Sequence, residues 1–172
     1  MKKQYFIGIG LEAEDKKLFS MVKKQFDSRS NLSSPPHISL IPPFDFIDEK
    51  NLISRLKLWA EKNKSFKVKF FRVDRFVGPK YGTVILLPEN DIGIKNLHND
   101  LMEYFGEFEQ SGDFVPHLTL AQRVDLDKLD SIKKEVEMMG LELNILVDKV
   151  ILYRKDEGKS WMELEEINLI HI

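Results

Sequence analysis

The sequence predicts one compact domain over residues 1–172, in which helices and strands form two similar lobes. The first observation is a repeated motif: Pro36-His37-Ile38-Ser39-Leu40 recurs 80 residues later as Pro116-His117-Leu118-Thr119-Leu120. The second is that a predicted helix and two predicted strands follow each copy. The third is that no Gly-, Ser- or Pro-rich linker separates the halves. An approximate two-fold relation between the lobes would place both motif strands at the seam.

Each motif copy is predicted to form a short strand with two different faces. Successive side chains of a strand point to opposite sides, so His37 and Ser39 share one face while Ile38 and Leu40 share the other. The second copy repeats this alternation. The leading proline of each copy is tolerated at the first residue of a strand.

The first half of the chain alternates between strand and helix patterns. Residues 12–26 carry apolar side chains at helical spacing, and Asp48 has the character of an N-cap before a second such stretch. The predicted elements are, in chain order, a strand at 4–9, a helix at 12–26, the first motif strand, a helix after Asp48, and strands at 66–77 and 83–87.

The second half repeats this order. Asp91 opens a helix whose inner stripe includes Ile94, Leu97 and Leu101, and the second motif follows it. Beyond the motif we predict a helix at 126–139, a strand at 143–153 and a last strand at 161–169.

Composition limits the class of protein. The 26 basic and 28 acidic residues give a net charge of -2, which argues against coating of long nucleic acids by bulk electrostatics. Residues 55–80 nevertheless carry nine basic and only two acidic side chains. A solvated sheet face and a phosphate-attracting surface are both consistent with this excess, and Lys67 and Lys69 would share one strand face.

Cysteine is absent, which excludes disulfides, thiolate metal sites and cysteine nucleophiles. The apolar stretch at the start is too short for a signal peptide core, and no run approaches the roughly 20 apolar residues of a membrane span. We therefore expect a cytoplasmic monomer that has no membrane partner.

The motif residues suit acid and base chemistry. A histidine near its ordinary pKa can take or give a proton at neutral pH, and a hydroxyl is a neutral donor to a phosphate oxygen. A single such motif is more often a strand with a hydrogen-bonded structural histidine. Two matched copies favour a shared site with one acid and one base.

The motifs resemble those of the 2H phosphoesterase superfamily, which is named for two His-x-[Ser/Thr]-x motifs. Within it the chain is similar to the bacterial phosphoesterase branch that resembles 2′-5′ RNA ligases and cyclic phosphodiesterases, and residues 152–161 resemble the closing hairpin of that branch. The resemblance implies an α+β, bilobal fold with two pseudo-symmetric antiparallel sheets, outer helices and a central cleft. It also implies an ester-bond hydrolase without metal or cofactor.

By the same resemblance, His37 is the proton donor, His117 the proton acceptor, and Ser39 and Thr119 bind the substrate phosphate. The opposite assignment of the two histidines stays open. Many relatives have a basic residue where this chain has Gln122. Strand parity places the next residue, Arg123, on the face of His117, so Arg123 is expected to contact the phosphate.

The expected substrate is a 2′,3′-cyclic phosphate or a 2′-5′ phosphodiester of a nucleotide or RNA end. Tyr81, in a Gly-flanked turn, is a candidate base contact, although a turn role also explains it. An RNA- or nucleotide-binding module without turnover is the alternative, and Gln122 favours it. A metal held by His37 and His117 is a third class, but two histidines with hydroxyl neighbours are a poor ligand set for zinc.

Overall fold

The computed structural model describes residues 3–26, 34–108 and 112–171, which form eight strands and four helices. The strands are β1 (Lys3–Gly10), β2 (His37–Asp45), β3 (Phe66–Val77), β4 (Tyr81–Pro88), β5 (Leu118–Asp125), β6 (Leu143–Val147), β7 (Lys149–Asp156) and β8 (Met162–Asn168). The helices are α1 (Ala13–Phe26), α2 (Glu49–Ala60), α3 (Ile92–Phe105) and α4 (Leu129–Met138). The Asp48 side chain caps α2 by accepting a hydrogen bond from the Asn51 N–H at 3.0 Å. The predicted α+β class is confirmed.

The strands form a single sheet in the order β6-β3-β4-β5-β2-β1-β7-β8, and the pairings between named strands are antiparallel. The family resemblance implied two sheets, whereas the structure joins all eight strands in one sheet, whose two four-stranded halves meet at β5 and β2, where Ile38 pairs with Leu118. The two halves of the chain exchange a pair of strands, because β3 and β4 join the half of β5 while β7 and β8 join the half of β2. Both motif strands lie at this central seam, as predicted.

The strand predicted at 143–153 is two strands with different partners. β6 pairs with β3 and β7 pairs with β1, with Asp148 alone between them. One residue spans a few ångströms, so the sheet must curve until these distant positions meet. Gly10 from one half and Asn144 and Leu146 from the other line a common cavity, so the two halves face each other.

The two faces of the sheet bury different residues. All four helices pack on one face, where Phe19, Leu56, Leu101 and Val136 join strand residues in the main core. Phe6 points to the other face, because its neighbours Tyr5 and Ile7 belong to the main core. There Phe6, Ile151, Tyr153 and Trp161 form a small second cluster. We call this second side the histidine face, since His37 packs against Phe6 on it.

Because all four helices pack on the other face, no helix among the described residues covers the histidine face, and a ligand can reach the seam from that side.

None of the helices in the described part of the chain is both long and apolar enough to cross a lipid bilayer.

Candidate active site

The pairing of β2 with β5 sets the positions of the four motif side chains. With Ile38 opposite Leu118, antiparallel pairing places Ser39 beside His117 and Thr119 beside His37. The histidines are then diagonal neighbours, whose Cα atoms lie about 7–8 Å apart in such a sheet. The charge of His117 acts on the titration of His37, in keeping with this proximity. The structure thus brings the two predicted histidines and both hydroxyls to one place on the histidine face.

His37 is held at both ring nitrogens. Its Nδ1–H donates to the carbonyl oxygen of Pro35 at 2.7 Å, with Ser34 Oγ 3.3 Å from the same nitrogen. Because a carbonyl oxygen only accepts hydrogen bonds, the neutral ring carries its proton on Nδ1. Its Nε2 then accepts the hydroxyl proton of Ser39 at 3.0 Å.

His117 repeats the arrangement on the other strand. Its Nδ1–H donates to the carbonyl oxygen of Val115 at 2.7 Å, again two residues before the histidine. The edge of its ring meets Phe76, with ring centroids 4.9 Å apart and planes at 87°. Both motifs therefore fix the same tautomer and leave Nε2 as the nitrogen that exchanges protons.

The electrostatic surroundings of the two rings differ. Burial lowers the pKa of His37 to about 4; the bond to Pro35 opposes this shift, and the charges of Lys23 and His117 add to it. Burial also lowers the pKa of His117, with the bond to Val115 opposing the change. Both rings are therefore neutral at pH 7 in the unliganded protein. A bound phosphate would raise both pKa values, because its negative charge favours the imidazolium form.

Lys23 was missed by the sequence analysis. It lies on α1 with only 4% of its surface exposed, and its Nζ donates to the carbonyl oxygen of Ser34 at 3.2 Å. It therefore anchors the segment whose Ser34 and Pro35 oxygens contact His37 Nδ1. The signal was present in the sequence: with Phe19, Val22 and Phe26, Lys23 completes the i, i+3, i+4, i+7 stripe that faces the core.

Two glycines of β1 allow the His37 ring to lie against that strand. Gly8 pairs with Ser39 and Gly10 pairs with His37. A Cβ on Gly8 would lie 2.9 Å from the Ile38 carbonyl oxygen and 3.4 Å from His37 Cδ2. A Cβ on Gly10 would overlap Ile151 Cδ1. Side chains at these positions would push on the ring or on the cluster beneath it.

Strict alternation along β5 does not hold as far as Arg123. A register shift between β4 and β5 places Ala121 opposite Val84, and both are fully buried in the main core. The alternation is therefore broken before Arg123, whose φ of 52° lies in the left-handed region. Arg123 lines a cavity with Phe26 of α1 and Ile132 of α4, on the helix side of the sheet.

Tyr81 is also not brought to the site. It lies opposite Asp125, whereas Thr119 is opposite Ile85, four residues further along β4. The ammonium group of Lys80 lies 5.2 Å from the centroid of the Tyr81 ring. The aromatic side chains next to the second motif are instead Phe76 and Phe114, which line a cavity of about 320 Å³ with Ser39 and His117. We call this space the His117 cavity.

The described residues offer no third metal ligand. Within residues 3–26, 34–108 and 112–171, no group of three His, Cys, Asp or Glu side chains is arranged to hold a metal ion. The metal alternative would have to rely on His37 and His117 alone, a poor ligand set.

The site consists of two histidine and hydroxyl pairs on adjacent central strands, with matching ring tautomers. This is the two-motif arrangement for which the 2H phosphoesterases are named. The sequence model of the 2′-5′ RNA ligase superfamily matches residues 13–159, and the chain belongs to this superfamily. The resemblance inferred from the motifs is confirmed.

Curated relatives agree with this membership, and solved structures agree with the fold. The chain is 29% identical over 143 residues to a protein of Oceanobacillus iheyensis named "Putative phosphoesterase", covering 81% of this chain and 82% of that one. The fold is similar to that of Escherichia coli LigT in its apo form, with a TM-score of 0.65, 16% identity and 98% of each chain covered. LigT has also been solved in complexes with 3′-AMP and with phosphate, which cover 98% of this chain at TM-scores of 0.63 and 0.62 and identities of 14% and 16%.

Proposed function

We propose that the chain is a phosphoesterase that opens a 2′,3′-cyclic phosphate or cleaves a 2′-5′ phosphodiester of a nucleotide or RNA end, without a metal ion. The observation that carries this proposal is the matched pair of imidazoles at the seam. Each has its Nδ1 bonded to a carbonyl oxygen two residues earlier, and each leaves Nε2 for proton transfer. Relatives named as phosphoesterases, and LigT complexes with 3′-AMP and phosphate, support the choice of substrate class.

The reaction needs one base and one acid. One Nε2 removes a proton from the attacking water as the new P–O bond forms. The other Nε2, protonated at the start, gives its proton to the ribose oxygen as the old P–O bond breaks. Afterwards the two rings have exchanged protonation states, so the reverse reaction uses each histidine in the opposite role.

The electrostatics favour His37 as the base in hydrolysis and His117 as the acid. Burial disfavours the charged form of both rings, but the positive charge of Lys23 adds to this effect at His37. The first proton bound by the pair then goes to His117. The family resemblance implied the opposite assignment, with His37 as the proton donor and His117 as the acceptor. In our proposal those roles apply to the reverse reaction.

Ser39 and Thr119 are proposed to hold the non-reacting phosphate oxygens. Ser39 Oγ lies 3.0 Å from His37 Nε2 and lines the His117 cavity. Thr119 lies on the same face, opposite Ile85. Neutral hydroxyls stabilise negative charge by donating hydrogen bonds without changing the acid and base balance.

A binding module without turnover is the second candidate, because the position after Ala121 is the neutral Gln122, where the family resemblance implied a basic residue. Such a protein would bind 3′-AMP yet release no product from a 2′,3′-cyclic nucleotide. In that case His37→Ala would leave nucleotide affinity unchanged.

The test is hydrolysis of 2′,3′-cyclic nucleotides and 2′-5′ dinucleotides by the purified protein after chelator treatment. We expect turnover, and a loss of about 10²- to 10⁴-fold in His37→Ala or His117→Ala. The matched control is His171→Ala, which removes an exposed histidine near the chain end and should keep the wild-type rate. Absence of turnover on all of these substrates would contradict the proposal.

A further inference from the structure

The His117 cavity extends the site in one direction. Ser39 and His117 line it together with Pro42, Phe76, Asp113 and Phe114. Its volume of about 320 Å³ is within the range that small-molecule sites occupy. A phosphate at the two Nε2 atoms would therefore have an adjoining space for the nucleoside it carries.

The aromatic wall of this cavity is held in place by the core. Phe114 stacks on His98, with ring centroids 3.8 Å apart and planes at 12°. The buried His98 donates from Nδ1 to the Leu40 carbonyl oxygen at 2.7 Å, which fixes the ring beneath Phe114. Phe76, which also lines the cavity, is 37% exposed, so it offers ring surface to a ligand. Such rings suit the stacking of a nucleobase.

Asp113 sets the polarity of the cavity. Its side chain is exposed at the rim, next to Phe114. A carboxylate accepts hydrogen bonds and repels a phosphate, so this end favours a neutral group that carries N–H donors. Guanine offers two such donors side by side, N1–H and the N2 amino group, which match the two oxygens of one carboxylate. Uracil offers a single N–H between two carbonyl groups, which the carboxylate repels.

We propose that the His117 cavity is the base subsite of the enzyme and that it selects guanine through Asp113. This inference rests on the proposed function, because the phosphate position defines where the base begins. The preferred substrate is then a guanosine 2′,3′-cyclic phosphate, free or at an RNA end, with its base between Phe76 and Phe114.

The experiment compares kcat/KM for guanosine and uridine 2′,3′-cyclic phosphates in the wild type, Asp113→Asn and Asp127→Asn. We expect the wild type to prefer the guanosine substrate by about tenfold. Asp113→Asn should bring this ratio close to one. The control Asp127→Asn removes the same charge at an exposed position in the turn before α4 and should leave the ratio unchanged.

Equal rates on the two substrates in the wild type would overturn the inference, as would an unchanged ratio in Asp113→Asn with wild-type thermal stability. If neither substrate is cleaved, the proposed function fails, and the subsite is judged by the Kd values of 3′-GMP and 3′-UMP. Preference for 3′-GMP that is lost in Asp113→Asn would support the subsite, and equal affinities would exclude it.

Discussion

The surroundings of His37 and His117 differ although the two motifs share one sequence pattern and one backbone hydrogen bond. His37 packs between β1 and β2 against Phe6 and feels the charge of Lys23. His117 faces Phe76 and an open cavity. The duplicated motif therefore gives the two rings matched orientations. The packing around each copy differs, and it lowers the pKa of His37 more than that of His117. This asymmetry is what an acid and base pair requires.

The largest loss of activity is expected when the motif histidines are removed, either one at a time or together. Because the proposed mechanism uses both histidines in one chemical step, the double variant His37→Ala/His117→Ala should lose about 10²- to 10⁴-fold in kcat, no more than the worse single variant. Steady-state kinetics on a 2′,3′-cyclic nucleotide would measure this. Losses that multiply would show that the rings work independently, against a shared phosphate.

The second prediction concerns stability and pH. The pKa of His37 is lowered in the folded protein, so the unfolded chain binds the proton more tightly and stability falls as pH drops from about 6.5 towards 4. Between pH 7.5 and pH 5 this group should remove about 2 kcal/mol, a loss absent in His37→Gln. Urea unfolding at both pH values tests this. His171→Gln should keep the wild-type loss, and the same loss in His37→Gln would contradict the burial of the ring.

The third prediction concerns Lys23 as a positioning residue. Lys23→Met removes the anchor of Ser34 and the charge that disfavours protonated His37, so we expect about a tenfold fall in kcat/KM. The acidic limb of the pH–rate profile should move to higher pH, because His37 then gains its proton more easily. Lys23→Arg should restore both readouts. Lys24→Met, at an exposed position on the same helix, should change neither.

The smallest effects are expected at the hydroxyls. Ser39→Ala and Thr119→Val each remove one neutral donor to the phosphate, so each should lower kcat/KM by about fivefold. Thr119→Ser should retain the wild-type value, because the donor remains. A larger loss in Ser39→Ala than in Thr119→Val would sharpen the comparison, since of these two hydroxyls it is Ser39 that donates a hydrogen bond to a motif histidine.

The strands, helices and buried faces that follow from local periodicity could be predicted from the sequence. The motif strands and their apolar and polar faces follow from alternation, and their place at the seam follows from the repeated order of elements. The helices follow from apolar spacing.

Irregular backbone and contacts between distant elements could not be predicted from the sequence. The two register shifts on either side of Ala121 interrupt the alternation that placed Arg123 beside the phosphate. The change of partner strand at Asp148 divides one apolar run into β6 and β7. Phe76 at the end of β3 contacts His117 next to β5, although β4 lies between these two strands, and no local sequence pattern predicts such a contact.

The central claim is that His37 and His117 bind one phosphate from opposite halves of the sheet. A crystal structure of the protein with phosphate tests it most directly. We predict a single anion at the seam with oxygen atoms about 3 Å from both Nε2 atoms. An anion bound by one imidazole alone, or away from both, would contradict this account.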